Sequence, residues 1–497
     1  MDFVKAAFVI LYFGILFILS IYGCHRYYLV YLYYRYKKNI PRPKDHFKTL
    51  PLVTVQLPIY NEMYVVERLF EAVSKLDYPK ELLEIQVLDD STDETQRIAQ
   101  SFTQTLQKNG LNIQYLHRHH REGFKAGALE KGLEKAHGEF IYIFDADFIP
   151  PSNFIQKTIH FFTDSSIGMV QARWTYLNRN DSLLTEIQSI LLDGHFVIEH
   201  TARNRSGKFF NFNGTAGGWR RKAITDGGGW QHDTLTEDLD LSYRSQLQGW
   251  KFVYLQELGT PSELPVDMNA FKSQQHRWVK GSVQSGKKLL KKIWKSSFPL
   301  GIKLEATFHL TNNLSYPLMI ILSLLLLPAM LIQLEEGWKY KVLIDAPLFI
   351  ASFLSISIFY ISSQKEIDAQ WFKKLKYIPL VSAVGIGLSI NNAKAVLEAL
   401  FSHESPFQRT PKYGAHTSQD SLKTKKYRGK KNKFSWVELI LGLYFSLLAT
   451  ISLETHRFAM TPFLMLFQIG YLYTWSLSIF QERQKPLQLL LSKPIEA

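Results

Sequence analysis

A single cysteine, Cys24, in 497 residues excludes an internal disulfide framework and any Cys-based zinc or iron–sulfur centre, since each needs at least two thiols. No internal repeat is evident, and 21% charged residues with 14% aromatics exclude wholesale disorder and collagen-like or mucin-like composition. Acidic charge is also in short supply, with 44 Asp and Glu against 58 Lys and Arg, a formal +14. Three segments hold that excess. Residues 35–48 carry +5, residues 272–303 carry +9 and residues 406–434 carry +8, which leaves −8 for the rest of the chain. Each basic segment flanks an apolar run, so the charge fits membrane lipid on the cytoplasmic side and excludes nucleic acid as a partner.

Apolar runs long enough for a bilayer occur at residues 4–21, 314–334, 346–362, 437–453 and 458–480. The first lies within an anchor over 1–34. Its basic residues follow the apolar stretch, so it does not read as a cleaved signal peptide. A further candidate, 377–401, contains Asn391, Asn392, Lys394 and Glu398. If it crossed, the basic loop 406–434 would face outward against the positive-inside tendency, so it reads as interfacial or re-entrant and five spans are expected. Between the anchor and the later spans, residues 53–57, 85–88, 113–116 and 141–144 read as buried strands alternating with helical stretches such as 62–76 and 92–107. That alternation predicts an α/β, Rossmann-like domain with a mostly parallel sheet over 45–270, fused to an α-helical transmembrane region. Residues 271–312 are expected to be interfacial helices, because Lys287, Lys288, Lys291, Lys292 and Lys295 interleave with Leu289, Leu290, Ile293 and Trp294. Two spans are placed in 313–363, an interfacial helix and cytoplasmic loop in 376–434, and two more spans in 435–481.

In a parallel sheet, ligands bind beyond the carboxyl ends of the strands. Asp89 and Asp90 end the second strand and could accept hydrogen bonds from a nucleotide, or equally cap the next helix. Asp145-Ala146-Asp147 follows the fourth strand, and two carboxylates at that spacing suit Mg²⁺ or Mn²⁺ bridging to a diphosphate, although the pattern also occurs in ordinary loops. Thr236-Glu237-Asp238 offers a general base, or an acidic helix start that complements the dipole. The segment 209–220, with Gly214 and Thr215 among aromatics, fits either a sugar-facing loop or a tight core turn. Gln274, Arg277 and Trp278 offer diphosphate donors and a flat ring, and an Arg-Trp pair beside a membrane also serves as an interfacial anchor.

In this order the motifs resemble the membrane-embedded processive branch of the family 2 glycosyltransferases, which includes the cellulose, chitin and hyaluronan synthases. The nearest likeness is to the cellulose synthase-like mannan and glucan synthases of the A and C types, through residues 86–93, 123–129, 145–148, 171–174, 212–217 and 262–265. Residues 407–412, Phe-Gln-Arg-Thr-Pro-Lys, are similar to the gating-loop motif Phe-x-Val-Thr-x-Lys, with Arg409 in place of Val. The resemblance implies a GT-A fold in the catalytic domain. It also implies Asp89, Asp90, Lys125, Asp145, Glu237, Gln274 and Arg277 around the nucleotide sugar, and Asp147 with Asp145 on the metal. Asp238 would be the catalytic base, Trp278, Gly214 and Thr215 would meet the acceptor, and Phe407, Thr410 and Lys412 would form the gating loop. No cyclic-dinucleotide barrel or Cys-rich zinc module is recognisable, so regulation by those devices is not expected.

The function expected from this resemblance is processive, inverting transfer of hexose from GDP-mannose or UDP-glucose to a growing β-glycan, which is then moved across the membrane. The plasma membrane is expected, or the Golgi membrane in a eukaryote, with the catalytic domain cytoplasmic. A non-processive transferase adding one sugar to a lipid shares several of these motifs. A transporter or scaffold with an inactive transferase domain would be expected to lack a motif acid, and none is missing.

Overall fold

The computed structural model describes residues 3–336, 342–403, 409–414, 426–427, 434–458 and 460–483. Seven strands form one sheet: β1 (Val53–Ile59), β2 (Leu83–Asp89), β3 (Asn112–His117), β4 (Phe140–Ile143), β5 (Ile167–Tyr176), β6 (Gly217–Arg220) and β7 (Lys251–Ser262). Their order is β3-β2-β1-β4-β6-β5-β7. The four expected strands are all present and mutually parallel, with β1 between β2 and β4. Apolar side chains alternate between the faces as period 2 requires. Phe140 and Tyr142 pack with Val55 and Leu57 on one side, while Ile141 and Ile143 pack with Leu129 and Trp219 on the other. Chain progression reverses between β1 and β4, which opens a crevice at their carboxyl ends.

The sheet extends beyond the expected strands. Antiparallel β6 joins β4 to β5, and β7 runs parallel to β5 with register shifts. The rings of segment 209–220 point into the core, with Phe210, Phe212 and Trp219 at most 1% exposed, so its aromatics hold the domain together and offer no sugar platform. The first helix is Val66–Ser74, shorter than expected, because residues 60–65 form a turn that brings Glu62 to the crevice. The next, Glu94–Lys108, is capped by the Asp93 carboxylate, which accepts from the Thr95 amide at 3.0 Å. That leaves Asp89 and Asp90 free of a capping role.

Four helical stretches among the described residues are long and apolar enough to cross a membrane: Phe3–Tyr36, Leu300–Ile332, Ser435–Glu454 and Thr461–Gln481. A fifth long helix, Val342–Ile367, holds the uncharged stretch 346–362. The first, third and fourth of the four pack through Tyr12, Leu16, Phe445 and Tyr471, while Ile10, Phe17, Leu443 and Leu447 face outward. Trp371–Gly387 and Ser389–Leu400 meet at a 42° bend. The polar residues of this bent pair turn inward: Asn391 donates to the Lys272 carbonyl at 2.9 Å, and Glu398 lies 3.1 Å from both His276 and Lys280.

Those partners sit on Met268–Lys295, a 28-residue helix started by Asp267, whose carboxylate accepts from the Ala270 amide at 2.7 Å. Part of its amphipathic surface is covered within the protein. Leu289 and Ile293 pack on Phe209, Leu239, Tyr243 and Leu310. Lys287 donates to the Ala399 and Leu400 carbonyls, and Lys288 pairs with Asp233 and Asp240.

Candidate active site

The crevice holds a cavity of about 190 Å³ whose lining comes from strand ends, helix starts and the segment 409–412. On the β1–β2 side, Tyr60 and Glu62 follow β1, and Asp90 follows β2. Arg118 donates to both Asp90 oxygens, from Nε at 2.7 Å and Nη2 at 2.5 Å. The Arg121 guanidinium lies 3.4 Å from the Tyr60 ring centre. Asp89 does not reach this wall. Its side chain is fully buried and accepts from the Ser91 amide at 2.9 Å and the Tyr115 hydroxyl at 2.5 Å, so it shapes the loop that presents Asp90.

Beyond β4, each carboxylate of the Asp-x-Asp pair carries an ammonium partner. Lys125 Nζ is 2.5 Å from Asp145 Oδ1 and 2.9 Å from the Gly214 carbonyl, and Lys412 Nζ is 2.7 Å from Asp147 Oδ2. Burial pushes the Asp145 carboxyl up, and Lys125 opposes that push. Burial likewise works against charge on Lys125, but Asp145 and Glu237 outweigh it and raise its pKa. The two lysines act as stand-in cations, so the donor set suits a hard divalent ion. No cluster of three His, Cys, Asp or Glu able to hold a metal occurs among the described residues. A bound ion would therefore complete its shell with substrate oxygens and water, as Mg²⁺ and Mn²⁺ commonly do.

The opposite wall begins at the helix Glu237–Leu247. Asp238 accepts from its neighbour's amide, Leu239, at 2.8 Å, and it meets the backbone of the 212–217 turn. Gly214 has φ +79°, and a Cβ there would sit 3.0 Å from Asp238 Oδ2 and 3.4 Å from Lys125 Nζ. The positive φ favours glycine, and a Cβ would crowd Asp238 as well. Burial, with Glu237 second, pushes the Asp238 carboxyl up to about 7. Glu237 is raised as well, mainly by burial. Thr215 does not line the cavity. It is fully buried and its Oγ1 accepts from the Asp145 amide at 2.9 Å, so it positions the Asp-x-Asp turn instead of meeting an acceptor.

Gln274, Arg277 and Trp278 line the cavity from the Met268–Lys295 helix, on one face at i, i+3, i+4 spacing. The Trp278 and Trp174 rings are 6.4 Å apart at 56°, and Trp174 packs edge-on against Phe148 at 5.0 Å. Thr410 and Lys412 line the cavity with Arg409. Phe407 lies outside the described residues.

Sequence reading missed Arg121 as a wall residue and Arg118 as the partner that holds Asp90; Tyr60, Glu62 and Glu263 also line the wall. The basic run 117–121 directly after β3 is the one local signal that could have found the arginines. Glu263 accepts from the Tyr413 amide at 2.7 Å and the Gly414 amide at 3.0 Å, which ties the 409–414 segment to the end of β7. Only folding brings those residues together.

Residues 51–281 match the family model described as glycosyltransferase like family 2. Glucomannan 4-beta-mannosyltransferase 2 of Arabidopsis thaliana is 44% identical over 248 residues, 49% of this chain and 46% of that protein. Glucomannan 4-beta-mannosyltransferase 1 of Cyamopsis tetragonoloba is 36% identical over 335 residues, 65% of this chain and 64% of that protein. The matches thus span less than two thirds of either relative. A mannosyltransferase from Pyrobaculum calidifontis, solved in complex with GDP-Man and Mn²⁺, superposes with a TM-score of 0.52 at 18% identity, over 79% of this chain and 99% of that one, and shares the fold. The sheet order, the Asp-x-Asp turn and the sequence match agree, and residues 51–281 of this chain are a GT-A domain of glycosyltransferase family 2.

Proposed function

We propose that the protein transfers a hexose, with inversion, from a nucleoside diphosphate sugar to the end of a β-linked glycan, and that a β-1,4-mannan or glucomannan is the product. The observation that carries this reading is the placement of Asp238, a buried carboxylate with raised pKa, across one cavity from the Asp-x-Asp pair and beside Lys125 and Arg277. An acceptor hydroxyl attacks C1 of the donor sugar and its proton passes to Asp238. The bond from C1 to the diphosphate oxygen breaks, and the electron pair leaves with the nucleoside diphosphate. Attack opposite the leaving group turns an α-linked donor into a β-linkage without a protein nucleophile. Arg277 and Lys125 offer cationic donors to the departing diphosphate. Asp147 and Asp145 would hold a divalent ion, which would add to the neutralisation of that charge.

Trp278 and Trp174 give the acceptor end flat surfaces for pyranose rings. The relatives' names favour mannose as the transferred sugar. We place the long apolar helices across a membrane with the basic segments and catalytic domain on its cytoplasmic side, and assign them the passage of a growing chain. The segment 409–412, which lines the donor side of the cavity, closes it during each transfer.

The test is to offer the purified protein in lipid nanodiscs GDP-mannose and UDP-glucose in turn, then measure released nucleotide and product length. Release of GDP with products of many sugar units is expected. Products of one added sugar would replace the polymerase with a single-step transferase, and absence of any nucleotide release would sink the reading.

A further inference from the structure

Arg409 stands where the gating-loop motif has an aliphatic residue, and its guanidinium is built into the cavity wall. Its Nε donates to Glu62 Oε1 at 3.0 Å and its Nη1 to the Asn61 carbonyl. The group's central carbon lies 4.9 Å from the Tyr427 ring centre. The third nitrogen, Nη2, is buried with no hydrogen-bond partner among the described residues, and so is the hydroxyl oxygen of the adjacent Thr410, a residue only 4% exposed. Both residues line the cavity with Asp145, Asp147 and Arg277. A charged N–H group left buried without an acceptor is costly, and two neighbouring orphaned polar groups on one wall mark a place where an acceptor-rich ligand belongs.

The surroundings say what kind of ligand. Lys125 and Lys412 are occupied by Asp145 and Asp147, while Arg277 and Arg409 repel across the cavity. Glu237, Asp145 and Asp238 offset part of that repulsion at Arg277, and an incoming anion lying between the arginines would relieve it further. A planar guanidinium edge matches two phosphate oxygens, which an ammonium cannot do.

We infer that Arg409 is a diphosphate-binding residue of the donor site, its guanidinium shared between Glu62 and the diphosphate oxygens of the bound nucleotide. This rests on the donor reading above. Glu62 competes with the ligand for the same guanidinium, so its carboxylate holds the segment near the site without satisfying it.

The experiment compares GDP, UDP and the nucleosides guanosine and uridine by calorimetry on the full-length chain in nanodiscs with Mn²⁺. Arg409→Val installs the residue of the related motif at a position with a known aliphatic precedent. It should weaken binding of the preferred nucleoside diphosphate by about 10- to 100-fold, the range expected for lost charge-assisted hydrogen bonds, and leave the matching nucleoside unchanged. Arg409→Lys should recover only part of the loss, and Glu62→Gln should tighten diphosphate binding. Unchanged diphosphate affinity in Arg409→Val overturns the inference, as does an equal loss for nucleoside and diphosphate, which would mark a purely structural role. If the native protein binds neither diphosphate, the donor reading fails first and takes this one with it.

Discussion

The two acidic pairs that line the cavity, Asp145 with Asp147 and Glu237 with Asp238, carry the same functional group and have different neighbours. Asp145 and Asp147 follow a parallel strand, and each has an ammonium within 2.7 Å. Glu237 and Asp238 begin a helix and lie beside each other; burial raises both, and Glu237 adds to the rise at Asp238. Carboxylates paired with cations can exchange those cations for a metal and a diphosphate. A carboxylate crowded by its neighbour is poised to take a proton near neutral pH. The difference between the two proposed roles, metal ligand and base, is therefore made by neighbours, since an acidic side chain supplies the same group in both places.

The largest break in that contrast is Asp238→Asn. Transfer should fall by roughly 10²- to 10⁴-fold, the usual cost of a lost general base, while nucleotide affinity measured by calorimetry stays near native. Near-native incorporation of labelled sugar would remove Asp238 from the role. Asp147→Asn acts on the other wall. Mn²⁺ binding followed by electron paramagnetic resonance, in the presence of nucleoside diphosphate, should weaken at least by the ~10- to 100-fold that even outer-shell changes cost. Unaltered Mn²⁺ affinity would place the ion elsewhere.

The pH dependence sharpens the comparison further. A base must be ionised to act, and the folded pKa of Asp238 is raised to about 7, so kcat/KM should drop as pH falls through that value. Glu237→Gln removes the like charge beside it and should move this acidic limb to lower pH. A limb that stays in place would mean that burial alone sets the value. The smallest effect expected is that of Thr215→Val. It orphans the buried Asp145 amide and should cost about 1–3 kcal/mol of stability, seen as a lowered thermal midpoint, with far less loss of rate than Asp238→Asn.

Legibility followed the local character of each signal. The parallel half of the sheet was readable because β1, β2 and β4 are short apolar runs buried on both faces, and because the acids that matter come directly after them. The other half was not. β6 is four residues containing two glycines, and β7 carries Gln256 and Glu257 in mid-strand, so neither has the alternation or apolar run that marks a strand. The same limit misassigned Asp89 and Thr215. Both belong to motifs that reach the site and both point into the protein: a one-residue step along β2 reverses the side chain at Asp89, and the left-handed residues Gly214 and Ala216 set the turn that buries Thr215.

The sequence by itself determined the elements of the catalytic domain, the order of its acids along the chain and the apolar stretches beyond it, because strand period, turn residues and hydrophobic length are local properties. Tertiary structure decided which acid is paired and which is crowded. Lys412 reaches Asp147 from 265 positions away along the chain, and Arg409 reaches Glu62 from 347 positions away. The basic helix of residues 287–295 is the same lesson in reverse. Its sequence reads as a surface for lipid; Leu289 and Ile293 pack on Phe209, Leu239 and Tyr243 while Trp294 stays exposed, because only the fold specifies which neighbour covers which part of an apolar face.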